Sequence, residues 1–149
     1  MSIYRLLIIC ITLHLMACST ASITSFTLLQ LNDVYELTPL NAGKTGGLAR
    51  VATLQKQLKA ENPNTYSVLA GDLLSPSALG TAKLNGEKLS GKQMIDVFNY
   101  LHWDYATFGN HEFDIGKKAL LDRLSESKTL FFSSNVVDSE THKPFANSK

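Results

Sequence analysis

The sequence predicts an α/β fold whose sheet is largely parallel and built in βαβαβαβ order. Two observations carry this. Four short apolar runs have the length of buried strands, and segments with apolar residues at helical spacing separate them. Strands alternating with helices imply right-handed crossovers, which lay parallel strands side by side with helices packed on them.

Residues 25–32 (SFTLLQLN) form the first strand, with Asp33 directly after it. Residues 46–60 place Leu48, Val51, Leu54 or Gln55, and Leu58 on one helical face, and the segment around Pro63 breaks that helix. Residues 65–70 (TYSVLA) are the second strand, ending at Gly71-Asp72. The stretch 73–91, rich in Ser, Gly, Lys and Asn, holds a short helix near 77–82 and a loop at Asn85-Gly86. Residues 92–102 are a helix with Met94, Ile95, Phe98 and Leu101 inward. Residues 104–108 are the third strand. A helix from Ile115 follows, with Leu120, Leu121 and Leu124 inward and Asp114 as an N-cap candidate. Residues 129–135 are the fourth strand, and 138–144 a polar turn.

With 149 residues, 44% hydrophobic and 18% charged, the chain is long enough for one domain with a core. A net charge of +1 gives no basis for holding a nucleic-acid polymer by bulk electrostatics. Residues 1–17 stand apart. They carry one charge, Arg5, then an apolar run and a small-residue exit, the pattern of a secretory signal rather than a full membrane span. Cleavage after Ala21 and an uncleaved anchor are the other readings of this leader. Both cysteines, Cys10 and Cys18, lie in or at the end of the leader, so the domain has no disulfide or thiolate metal site of its own.

In open parallel sheets ligands sit beyond the carboxyl ends of the strands. At those ends the sequence places Asn32-Asp33, Gly71-Asp72, Gly109-Asn110-His111 and Asn135. Singly, each has an ordinary reading: a turn aspartate, a loop residue, a helix cap, a solvated histidine. Jointly, two carboxylates, an amide oxygen and an imidazole make a hard-to-borderline divalent metal site.

The blocks LQLNDVYEL, GDLLSPS and FGNHEFDIG, with the helices GLARVATLQKQL and GKQMIDVFNYLH, resemble the metallophosphoesterase domain of the secreted 5′-nucleotidase family over about residues 26–145. The resemblance implies a four-layer αββα sandwich, of which this chain supplies part. It also implies hydrolysis of nucleotide phosphoesters with two divalent metal ions, zinc, manganese or similar. Asp33 would ligate the first metal, Asp72 bridge both, and Asn110 ligate the second. His111 would face the phosphate as charge stabiliser or acid, and Asp114 would orient the imidazole. Glu112 receives no role. LMAC at 15–18 resembles a lipobox, which would lipidate Cys18 and tether the exported chain to a membrane at the cell envelope.

Two departures shape the expectation. The family's first block is mostly Asp-x-His, and here Tyr35 stands where that histidine would ligate; a phenol binds a metal only as a phenolate, and Glu36 is the neighbouring alternative. The family's later metal-ligating histidines have no counterpart among His14, His102, His111 and His142. The organisation expected is a lipoprotein-type signal at 1–17, a linker at 18–25, and the N-terminal part of a metallophosphoesterase domain at 26–149. This chain by itself is expected to bind metal weakly and hydrolyse little. The alternative is a truncated, non-catalytic lipoprotein binding module.

Overall fold

The computed structural model describes residues 24–145. The leader, with Cys18 and its expected lipid anchor, lies outside the described residues. Four parallel strands form the main sheet: β1 (Thr27–Leu31), β2 (Thr65–Ala70), β5 (Tyr105–Thr107) and β6 (Leu130–Phe131), side by side in that order. The order never reverses. Same-handed crossovers between strands laid down in one direction put every connecting helix on the same face. Burial follows that rule. Thr65, Ser67 and Leu69 of β2 are buried under the helices, whereas Leu28, Tyr66 and Phe132 on the other face are exposed.

Helix α1 (Leu48–Glu61) leaves β1 and returns to β2. It stops at Asn62 because the residue before Pro63 is pushed out of helical geometry, and Asn62 is extended. Asn62 also reaches Ser25 O and Thr27 Oγ1, which fixes the helix end against the start of β1. Of the alternatives Leu54 and Gln55, the structure buries Gln55 and leaves Leu54 44% exposed. Gln55 faces a polar spot: its amide donates to Ser67 Oγ at 3.2 Å. Ser67 Oγ in turn donates to Asp104 at 2.6 Å and accepts from the Asp104 N–H at 3.0 Å. This small network, buried at Gln55 and half-buried at Asp104, locks β2 to the start of β5.

A one-turn helix α2 (Ala78–Thr81) is capped by the Ser77 hydroxyl. The expected loop at Asn85-Gly86 is the two-residue turn of a hairpin between β3 (Lys83–Leu84) and β4 (Glu87–Lys88), with both turn residues at positive φ. Helix α3 (Lys92–Tyr100) buries Met94, Ile95 and Phe98 as expected, with Leu101 only half-buried just beyond its end. Its C-terminus is a Schellman motif. Trp103 N–H reaches Phe98 O, His102 N–H reaches Asn99 O, His102 takes the left-handed position, and the Trp103 and Phe98 rings pack 5.0 Å apart. That is what His102 does in the fold.

Two expectations about the last helix are corrected. It begins at Lys117, after a separate 3₁₀ turn over His111–Ile115, so Gly116 and not Asp114 precedes α4 (Lys117–Glu126). Its buried stripe is Leu120 and Leu124, while Leu121 is 46% exposed because it lies about 100° away around the helix. The strand expected over 129–135 is paired only at Leu130–Phe131. Beyond it the chain folds back through a Val137–Pro144 bridge, and Phe145 packs on Phe108 and Phe113.

Candidate active site

Three loops leave the carboxyl ends of β1, β2 and β5 and are stitched to one another. The first is bonded to the second: Asp33 N–H donates to Gly71 O at 3.2 Å and Val34 N–H to Asp72 O at 2.9 Å. The second meets the third at two glycines. A Cβ on Gly71 would lie 2.5 Å from Gly109 N, and one on Gly109 would overlap the Asp72 carboxylate. Both positions therefore require glycine. Asp33 and Asp72 themselves sit at φ of 55° and 61°, a left-handed conformation that aspartate tolerates better than most residues.

This stitching brings most of the sequence-identified residues together. The Tyr35 phenol donates to Asp33 Oδ1 at 2.7 Å and lies 3.3 Å from Asp72 Oδ2, so both carboxylates face one point. The Asn32 amide donates to the other oxygen of Asp33 at 2.6 Å. That bond first, and the Tyr35 bond second, hold the Asp33 carboxyl below its ordinary range. The same Asp33 bond is the largest reason the Tyr35 phenol is pushed well above its usual value. Tyr35 is thus a proton donor to the carboxylates in this arrangement.

Asp72 Oδ1 accepts the His111 N–H at 2.9 Å, which ties the third loop to the second. The His111 ring stands edge-on to Tyr35, with centroids 6.0 Å apart, and its Nδ1 is 2.7 Å from Asp114 Oδ2. The 3₁₀ turn explains that contact, since side chains three residues apart eclipse there. The Asp114 bond is the main cause raising the His111 pKa above its ordinary value. Asn110 is exposed at the entry to the turn. Asn135 joins none of these contacts; its Oδ1 accepts from Ser133 Oγ at 3.0 Å. A cleft of about 580 Å³ opens beside Asp114 and Glu36, walled by Ser75, Ser77 and Lys88.

Glu112 is the residue that sequence reasoning left aside, and the structure buries it completely. Its carboxylate accepts four backbone N–H groups: Asp72 at 2.8 Å, Leu73 at 2.6 Å, Leu74 at 3.1 Å and Gly109 at 2.6 Å. An acid three residues after a strand-ending glycine can fold back onto its own loop. That spacing was the available signal.

The pattern of the calcineurin-like phosphoesterase family matches residues 26–145, the whole of the sheet, helices and loops described above. This chain belongs to the calcineurin-like phosphoesterases. It is 33% identical over 101 residues to a 2′,3′-cyclic-nucleotide 2′-phosphodiesterase/3′-nucleotidase of Haemophilus influenzae, covering 66% of this chain and 15% of that protein. It is 36% identical over 120 residues to a snake venom 5′-nucleotidase of Naja atra, covering 74% of this chain and 22% of the relative. Among solved structures, an NAD nucleotidase from Haemophilus influenzae superposes on 78% of this chain and 22% of its own, with TM-score 0.63 and 25% identity. The chain therefore spans a minor part of the length of these relatives.

Calcineurin-like phosphoesterases use divalent metal ions. The residues here offer hard oxygen donors in a suitable place, two carboxylates turned to one point. They fit as a partial ligand set. Among the described residues no three His, Cys, Asp or Glu side chains gather closely enough to hold an ion.

Proposed function

We propose that this chain is the N-terminal part of a metal-dependent phosphoester hydrolase acting on nucleotides outside the cytoplasm. The observation that carries the reading is that Asp33 and Asp72 turn their carboxylates to one point, while the His111 backbone N–H holds Asp72 and its imidazole holds Asp114. Asp33, Asp72 and Asn110 would hold up to two divalent ions such as zinc or manganese. Such ions would supply Lewis-acid charge against the phosphoryl oxygens. His111, protonated with the help of Asp114, donates toward the phosphate and stabilises charge on the leaving oxygen. Asp114 fixes the tautomer and the ring plane. The family's further ligands belong to chain beyond these residues, and substrate recognition with them. The leader exports the domain and a lipidated Cys18 anchors it at the cell envelope.

A titration of the full chain with Mn²⁺ and Zn²⁺, followed by phosphate release from AMP, tests the reading. Weak binding and little release are expected of this chain by itself, with both lost in Asp72→Asn. Tight binding of two ions with rapid release would overturn the need for added ligands. The second reading, a non-catalytic lipoprotein module, is favoured by the absence of a third His, Cys, Asp or Glu ligand among the described residues. The DNA beyond the codon for Lys149 separates the two: a continuing frame with a Gly-His-x-His-like block supports the hydrolase, and unrelated sequence supports the module.

A further inference from the structure

We infer that Glu112 is a positioning residue that sets the relative placement of Asp72, Asn110 and His111 by clamping the loops after β2 and β5 through one carboxylate. The inference rests on the proposed roles of those three residues. The geometry is specific. Oε2 accepts from Asp72 N at 2.8 Å and from Gly109 N at 2.6 Å, so a single oxygen bridges the two loops. Oε1 accepts from Leu73 N at 2.6 Å and Leu74 N at 3.1 Å, which turns the chain away from the site. Two carboxylate oxygens offer about four lone-pair positions, and four N–H groups occupy them. The group has no exposure, so each N–H would be left unsatisfied in a dry pocket without it.

The clamp reaches the candidate chemistry at second hand. Glu112 contacts neither the Asp72 carboxylate nor the His111 backbone N–H that bonds to it. It holds the backbone of Asp72 at its left-handed φ of 61° and holds Gly109, against which the Asp72 carboxylate lies. Asp72 Oδ1 can then meet the His111 N–H at 2.9 Å. A glutamine has the same shape but only one acceptor oxygen, and its NH₂ would point donors at donors. An aspartate keeps the charge but is one methylene short of spanning both loops.

The test compares full-length wild type, Glu112→Gln, Glu112→Asp and Ser67→Ala. Ser67→Ala breaks the network at the opposite ends of the same strands and controls for general loss of stability. The first readout is amide hydrogen exchange without metal. The His111 N–H, which Glu112 does not contact, is expected to exchange at least about tenfold faster in both Glu112 variants. Amides of β1 and α1 should keep their protection, and Ser67→Ala should leave His111 slow. The second readout is Mn²⁺ affinity, expected to fall about 10–100-fold in the Glu112 variants and to stay unchanged in Ser67→Ala. Wild type that binds no Mn²⁺ counts against the proposed function alone, because His111 exchange still decides the role of Glu112. Unchanged His111 exchange in a folded Glu112 variant overturns the inference. So does failure of both Glu112 variants to fold, which would make the residue a support of the whole fold.

Discussion

The Tyr35 hydroxyl donates to Asp33 across 2.7 Å, within the loop that follows β1. With Asp72 3.3 Å from the same oxygen, the phenol is a shared proton donor to two carboxylates. Removing its proton would set a phenolate against two anions, and Asp33 is the larger cause of the upward shift. An alkaline ultraviolet titration of wild type minus Tyr35→Phe should therefore show phenolate absorbance from Tyr35 rising only well above the ordinary value of 10.0. In Tyr35→Phe the Asp33 carboxyl should titrate higher than in wild type, read by carboxyl-carbon NMR. A Tyr35 midpoint at or under 10 would contradict the donor assignment.

His111 should titrate above its ordinary 6.5 in the metal-free protein, chiefly through Asp114. The sign follows from linkage. A raised folded value means that the imidazolium–carboxylate pair adds stability below the unfolded pKa of about 6.5. That contribution fades as pH rises through the folded value. Asp114→Asn should bring the His111 midpoint down, measured from imidazole ¹H–¹⁵N shifts. An unchanged midpoint would mean that the 2.7 Å contact carries no charge.

Ser67 and Asp104 make a two-way bond, hydroxyl to carboxylate and N–H to hydroxyl, inside the helix-covered side of the sheet. Ser67→Ala strands the Gln55 amide in a buried setting and the Asp104 N–H in a half-buried one. Urea denaturation should register a loss of about 1–3 kcal/mol. A change within experimental error would show that water takes over both partners.

The turn after β6 depends on Asp138, whose carboxyl is lowered to about 2 by the Thr141 N–H first and by Lys117 next. Its support of the folded turn is present above the ordinary 3.8 and lost as pH falls through about 2. Lys117→Ala should raise the Asp138 midpoint while leaving it under 3.8, because the 2.9 Å bonds from Glu140 and Thr141 remain. NMR titration of the side-chain carboxyl reads this directly.

Much of this site was readable in the chain. Asp33, Asp72, His111 and Asp114 each follow a strand that its own apolar run announces, and a parallel sheet gathers such positions on one edge. For Glu112 the spacing from Gly109 points only to the local bond, and the three backbone N–H partners 38–40 residues away have no sequence signature. Gln55 against Leu54 was undecidable from periodicity, since both positions point near the sheet. The polar network around Ser67 made the choice. The sequence suggests Asp114 as a helix cap because a 3₁₀ turn and the first turn of an α-helix share one local pattern and differ only in their hydrogen bonds.

The order of elements, the parallel sheet and the polar residues at strand ends are determined by local pattern: apolar period, breakers and residue type act within a few positions. What Tyr35 and Glu112 do was decided only in three dimensions. A phenol becomes a donor because two carboxylates from different strands meet at its oxygen. A glutamate becomes a clamp because two loops, 38–40 residues apart in sequence at three of its four bonds, turn their N–H groups into one dry pocket.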